Sequence, residues 1–313
     1  MPPPASQLSN TWNHGVELSH QEEPHAGHSP LLYVTAAVLT LSTVTPAMKA
    51  VLRQSDIAPI ELVCLRVLIA FACLVLLTLT GPWQELRQMT GSDVVRLTLL
   101  GILGVGIAYG FAGWALAYTS VSHYSLIYSL HPTLTALMSL SLKKDRASVV
   151  KITGIALSLC GCLYAIPEGL HDQAVGFGDL LVLLFTLSAA SCVVLSTGMV
   201  QRYGAAAATT VMFGTSLFFL LLAAMFWSIP SRLHVTLSSG LLIGYIGIAT
   251  AAVFFLRNLS LQFLTPATVG AFHNLVPVFG ILMASLFLDE PVTANMIIGG
   301  AVTLAGVELV RRG

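Results

Sequence analysis

The chain has 313 residues, of which 56% are hydrophobic and 9% charged, and its 14 basic and 14 acidic side chains give a formal net charge of zero. A charged share so far below the ~25% of ordinary globular domains cannot clothe a water-soluble surface, and a balanced charge gives neither a basic footprint for nucleic acid nor an acidic tail. Apolar runs of about 20 residues, the length a helix needs to cross a bilayer core of about 30 Å, recur along the chain, so the sequence predicts an all-α membrane protein.

Residues 1–30 differ in kind: they are polar, contain His14, His20, His25 and His28 with three glutamates, and have no Lys or Arg. Such a segment cannot bury a core and reads as a disordered tail. It also lacks the basic start and adjoining apolar stretch of a secretory signal. Ten apolar spans follow, at approximately 31–52, 58–80, 96–118, 122–142, 149–167, 176–198, 207–229, 239–261, 267–288 and 292–310. Helices are expected because lipid offers no partner for open backbone amides. The alternating segments of a membrane β-barrel are absent from the sequence.

The first span contains Pro46, a candidate kink. In the second, Arg66 stands eight residues from the predicted outer end, about 12 Å deep at 1.5 Å per residue, too far for easy snorkelling. Its candidate roles are substrate binding, an ion pair with Glu61, or bonding to carbonyls. The third span carries Tyr109, a candidate for lining a cavity, and Trp114 and Tyr118, which suit the interfacial belt. Gly106, Gly110, Gly113 and Ala117 form a stripe of small residues there, as do Gly240, Gly244, Gly247 and Ala251 on span eight, and such stripes permit close helix contact. On span four, Tyr124, Tyr128, His131, Thr135 and Met138 share one face. Pro132 displaces the carbonyl four residues earlier, so a kink is expected beside that face. Span nine offers His273, Asn274 and Pro277 in the matching place. Lys49 and Arg257 lie close enough to span ends for snorkelling to account for them. The five cysteines all fall in apolar segments, and Cys160-Gly-Cys162 has neither the spacing nor the surroundings of a metal or redox pair, so packing is the expected role. No metal and no cofactor is expected.

Basic residues orient the bundle. With the tail in the cytoplasm, inner loops and the C-terminus hold Arg87, Arg96, Lys143, Lys144, Arg146, Lys151, Arg202, Arg311 and Arg312, against Arg53 and Arg232 outside. Both termini are therefore expected to be cytoplasmic. Sliding the chain along itself lays SLHPTLTALMSLSLKKDRAS over NLVPVFGILMASLFLDEPVT, so that Pro132 meets Pro277, Gly154 meets Gly299 and Gly161 meets Gly306. Two halves result, 31–167 and 176–312, each of five spans. Because five is odd, the second half must enter the membrane inverted, and its LDEP loop has lost the cations of KKDR as the positive-inside bias requires.

The segments that carry a family likeness are Pro59 with LVCLRVLIA around Arg66, the run ALAYTSVSHYSLIYSLHPTLTALMSL, and FLDEPVTANMIIGGAVTLAGVEL. Their order resembles the EamA-like family of the drug/metabolite transporter superfamily over about residues 31–312. That resemblance implies a ten-helix carrier with a central cavity for amino acids or related metabolites, often an exporter. The chain departs from the family pattern in having KKDR where the first loop glutamate would fall, near Asp145, whereas Glu290 is kept in the second half; His131 before Pro132 is a further departure.

The residues read for a substrate site are thus Arg66, Tyr109, Tyr124, Tyr128, His131, His273 and Asn274, with Pro46, Pro132 and Pro277 as gating or kink positions. A guanidinium beside imidazoles in a cavity suits a carboxylate. Hydrogen bonding between helices is the competing role for His131, His273 and Asn274. The function expected is a secondary carrier in the cytoplasmic membrane that moves a small metabolite, an amino acid or related carboxylate, by alternating access and outward, with His131 and His273 available for proton coupling. A nucleotide-sugar or drug carrier of the same superfamily is the alternative, although two deep cations would suit a phosphorylated solute better than the one predicted here. An intramembrane enzyme ranks lower, because HExxH, GxSxG and a P-loop are all absent.

Overall fold

A computed structural model describes residues 30–81, 83–142, 148–164, 176–227, 236–273, 275–288 and 293–312. The N-terminal tail, the KKDR loop, Glu290 and Asn274 lie outside the described residues. Those described are mostly helical, joined by short turns, without a strand among them.

Chain order gives α1 (Pro30–Gln54), α2 (Pro59–Leu79), the short α3 (Trp83–Arg87) and α4 (Gly91–Gly101), which runs through a π-helical stretch (Ile102–Ile107) into α5 (Ala108–Tyr118). Next come α6 (Val121–Tyr128), α7 (His131–Ser141) and α8 (Val149–Tyr164). After these come α9 (Phe177–Tyr203), α10 (Ala205–Trp227), α11 (Leu237–Ser260), α12 (Pro266–Phe272), α13 (Leu275–Leu288) and α14 (Ala294–Arg312). Six of the helices, including the continuous stretch Gly91–Tyr118, are long and apolar enough to cross a bilayer. Their ends carry local stop and start signals: Pro59 in the first turn of α2, Thr90 capping α4 through the Asp93 amide, Thr236 capping α11, and Gly204 at φ 78° between α9 and α10. The positive φ is what requires glycine there; the nearest neighbour of an added Cβ is the Glu85 carboxylate, the end of a side chain that can turn aside.

Spans four and nine differ from the single kinked helices that the sequence predicts. Each is two helices, α6 with α7 and α12 with α13. Pro132 sits in the first turn of α7, where its missing N–H removes nothing the helix needs. Tight turns close the breaks: Leu130 N–H donates to the Ile127 carbonyl (3.1 Å) and His273 N–H to the Gly270 carbonyl (2.9 Å). Pro277 likewise lies in the first turn of α13. By contrast, α1 passes through the buried Pro46 as one helix.

The core is formed where α1 packs on α11 and α13, α2 on α10 and α11, and α5 on α9. The small stripes serve this packing only in part. Gly113 lies against Val63 and the Pro59 carbonyl, and Gly247 against Ile69, whereas Gly110 and Gly244 face open space. A close seam joins α8 to α14, which run antiparallel. An added Cβ on Gly161 would stand 2.6 Å from Thr303 N and 2.7 Å from the Gly299 carbonyl, and one on Gly306 would stand 2.5 Å from Ser158 N and 2.7 Å from the Gly154 carbonyl. Between them Thr303 Oγ1 approaches the Ser158 carbonyl at 3.4 Å, a pair 145 residues apart.

Two hydrogen-bonded clusters join α9 to the third span at its two ends. At one, Asp93 Oδ2 accepts from Tyr203 OH (2.6 Å), Thr90 Oγ1 (2.8 Å) and Arg202 Nη1 (2.9 Å). At the other, Thr119 Oγ1 donates to Asp179 Oδ1 at 3.2 Å.

Candidate functional site

Between α1, α2, the third span, α6, α9, α11 and α12 lies a cavity lined by Arg66, Tyr109, Tyr124, Tyr128 and His273. Five of the seven residues read from the sequence as substrate-binding therefore meet in one place. The free space is about 30 Å³, room for one or two water molecules and no more. The cavity has no room for a metabolite in this conformation.

Arg66 projects from the middle of α2 and is 3% exposed. Its Nε donates to Thr250 Oγ1 at 2.7 Å, Nη1 lies 3.1 Å from Met48 Sδ, and the guanidinium stacks 4.0 Å from the centre of the Tyr109 ring. Glu61, weighed above as its ion partner, instead turns to the start of α2, where Oε2 accepts from the Ala58 N–H. Arg66 is thus a buried cation held by a hydroxyl, a thioether and an aromatic face, with no carboxylate against it among the described residues. Such a charge is costly in a low dielectric.

Arg257 corrects the snorkelling expectation. It is 5% exposed and lines the same cavity. Nη2 and Nε donate to Asn258 Oδ1 at 3.2 and 3.4 Å, the Cys192 thiol lies within its reach, and its guanidinium stacks 4.1 Å from the centre of the Phe254 ring. The Asn258 amide in turn donates to Thr209 Oγ1 at 2.6 Å. Tyr109 and Phe254 meet edge to face, centroids 5.7 Å apart, so a row runs from Arg66 through two rings to Arg257. Nearness to a helix end misleads for Arg257 because that end is covered by neighbouring helices. Lys49 is half-buried, and its Nζ donates to the carbonyls of Leu116 (2.5 Å) and Thr119 (2.8 Å) at the end of α5.

Phe185 of α9, which no motif marked, packs on Tyr109, Tyr124 and Tyr128 at centroid distances of 6.2, 5.8 and 5.4 Å. His273 also lines the cavity. Its Nδ1 lies 2.9 Å from the Val269 carbonyl, so that nitrogen carries the proton. His131 stands behind the lining. It stacks on His273 (4.7 Å) and tilts against Tyr128 (5.2 Å), is fully buried, and has no hydrogen-bond partner on either ring nitrogen among the described residues. Tyr118 is 69% exposed and meets Phe177 edge to face, as an interfacial residue would.

The fold and the sequence both have relatives among known proteins. A solved crystal structure superposes with a TM-score of 0.72 at 18% identity, covering 90% of this chain and 95% of its own, which is a likeness of fold. An uncharacterized transporter of Clostridium kluyveri is 23% identical over 86% of this chain and 88% of its own length. A WAT1-related protein of Arabidopsis thaliana is 25% identical over 80% and 70%, and a probable terminal-alkyne amino-acid exporter of Streptantibioticus cattleyicolor 24% over 88% and 91%. The model of the EamA-like transporter family matches residues 28–166 and again 176–312, one repeated domain in each half, in agreement with the resemblance read from the sequence. The chain belongs to the EamA-like transporter family and is a multi-pass membrane transporter.

Proposed function

We propose that the protein is a secondary carrier of the cytoplasmic membrane that exports a small carboxylate, an amino acid or a related organic acid, by alternating access. The observation that carries the reading is Arg66: a buried guanidinium that lines the cavity, without a carboxylate against it among the described residues, is a preorganised partner for a solute anion. The name of the Streptantibioticus relative, an amino-acid exporter, agrees with this solute class and direction.

Alternating access in this reading comes from ten spans arranged as two inverted halves with both termini cytoplasmic. Contacts that exchange under the 145-residue shift support it. Thr135 lies beside Gly270 and Ser125 beside Gly280, and Gly161 meets Gly299 as Gly306 meets Gly154. Ser158 touches Thr303, its own counterpart, and Tyr109 touches Phe254 in the same relation. A residue in contact with its own repeat mate lies on a two-fold axis, and the antiparallel course of α8 and α14 puts that axis across the helices. Rocking of one half against the other about such an axis would open the cavity to each side in turn. His131, whose ring nitrogens have no partner among the described residues, would gain partners as water enters the opening cavity, and the stacked imidazoles are where proton coupling would act.

Counterflow of labelled carboxylates into proteoliposomes tests the reading. Arg66→Ala is expected to abolish transport while the purified protein remains monodisperse, and Arg66→Lys to restore part of it, since lysine keeps the charge and loses the fork. Unchanged affinity and rate in Arg66→Ala would remove Arg66 from the site.

A further inference from the structure

We infer that the transported solute is a small dianion without an ammonium group, an inference that rests on the carrier reading above and narrows its solute class. The cavity holds two buried guanidiniums, Arg66 and Arg257, one at each end of the Tyr109–Phe254 pair. The remaining side chains that line it are neutral: aliphatic and aromatic groups, Thr45, three tyrosines and His273, whose Nδ1 is committed to the Val269 carbonyl. No aspartate or glutamate is among them in the described residues.

A zwitterionic amino acid would bring its ammonium into this space alongside its carboxylate. The carboxylate gains one guanidinium, but the ammonium meets two like charges at low dielectric and finds no anionic partner. Of the five phenyl and phenol rings that line the cavity, Tyr109 and Phe254 already stack on the two guanidiniums, and Tyr124, Tyr128 and Phe185 pack on one another. A solute with two anionic centres neutralises both guanidiniums and leaves no charge uncompensated. Arg257 is held through Nε and Nη2 by Asn258, which Thr209 holds in turn, so the guanidinium is fixed at the cavity before solute arrives. Two chemical sources supply such a dianion, a short dicarboxylate and a phosphate monoester.

The test uses the full-length protein in proteoliposomes with four solutes: glutarate, glutamate, alanine and glycerol phosphate. Glutarate and glutamate share two carboxylates and differ by the ammonium, so their ratio isolates its effect. Glutarate or glycerol phosphate is expected to exchange at least about tenfold more effectively than alanine, with glutamate between, and the better of the two dianions identifies the source. Arg257→Gln is expected to weaken the dianion by about 30-fold or more, the usual consequence of removing one side of a buried charge pair, while butyrate, with a single anionic group, loses much less. Arg257→Lys, which keeps the charge, covers the case in which the glutamine variant fails to fold and is expected to retain dianion selectivity. Alanine exchanging as well as glutarate, or Arg257→Gln weakening butyrate and glutarate equally, overturns the inference and leaves the carrier reading standing. Exchange of none of the solutes, with Arg66→Ala indistinguishable from wild type, overturns both.

Discussion

The seam between α8 and α14 can be probed by adding single methyl groups. At Gly161 the new Cβ would stand 2.6 Å from a backbone nitrogen and 2.7 Å from a backbone carbonyl of the facing helix, and at Gly306 the corresponding distances are 2.5 and 2.7 Å. Ordinary contact begins near 3.4 Å, so the helices must part by close to an ångström. The obstructing atoms are backbone and cannot rotate aside. Overpacking of this kind costs about 1–3 kcal/mol per site, and small residues are what let membrane helices approach closely in the first place. Gly110→Ala and Gly244→Ala are the controls, since nothing lies within 4 Å of either position. Alanine there should be neutral or stabilising by up to about 1 kcal/mol through helix propensity. Thermal unfolding in one detergent at one scan rate is therefore expected to give Gly161→Ala and Gly306→Ala melting temperatures several degrees below wild type, with the controls at or above it. The double variant should lose less than the two single losses added together, because the first methyl already opens the seam that the second would open. Melting temperatures for Gly161→Ala and Gly306→Ala equal to those of the controls would refute the close approach of these helices.

Other sites give separate expectations. Tyr203→Phe and Asp93→Asn remove the hydroxyl or the charge from the cluster that joins α9 to the start of α4, and each is expected to lower the melting temperature while solute affinity stays unchanged; a shift in affinity without loss of stability would mean that the cluster gates transport. Glu85, close to Gly204, has its carboxyl pushed above the usual range by burial. The folded state therefore holds that proton more tightly than the unfolded chain, and its contribution to stability, full below the unfolded pKa, is lost as pH rises through the folded value. Glu85→Gln should flatten the melting profile over that window and leave the variant no less stable than wild type at neutral pH; parallel profiles would rule out Glu85 as the source.

The candidate site was legible in unequal measure. Arg66, the three tyrosines and His273 could be found because an ionisable or hydrogen-bonding group in an apolar run is costly wherever it points, and that cost is a property of one residue and its immediate neighbours. Arg257 carried the same signal, but proximity to a helix end supplied a competing explanation that only the covering helices remove. Phe185 carried no signal at all, since an aromatic residue in an apolar helix looks alike in a cavity wall and in a lipid-facing surface. His131 was singled out for its position before Pro132, yet it stacks behind the lining on the histidine that reaches the cavity.

By itself the sequence determined that the chain resides in a membrane, where most of its helices begin and end, and which prolines and glycines recur between its halves. Each of these follows from local physics: the length of an apolar run against the thickness of a bilayer, the missing proton of proline, the missing side chain of glycine. Tertiary structure decided how the buried charges are compensated. Arg66 rests on Thr250 and Tyr109 rather than Glu61, Lys49 closes the carbonyls of α5, and Arg257 joins Arg66 across two rings. Partners of that kind come from helices far apart in the chain, so the cost of burying a charge can be read from one segment, while its compensation depends on how segments are brought together.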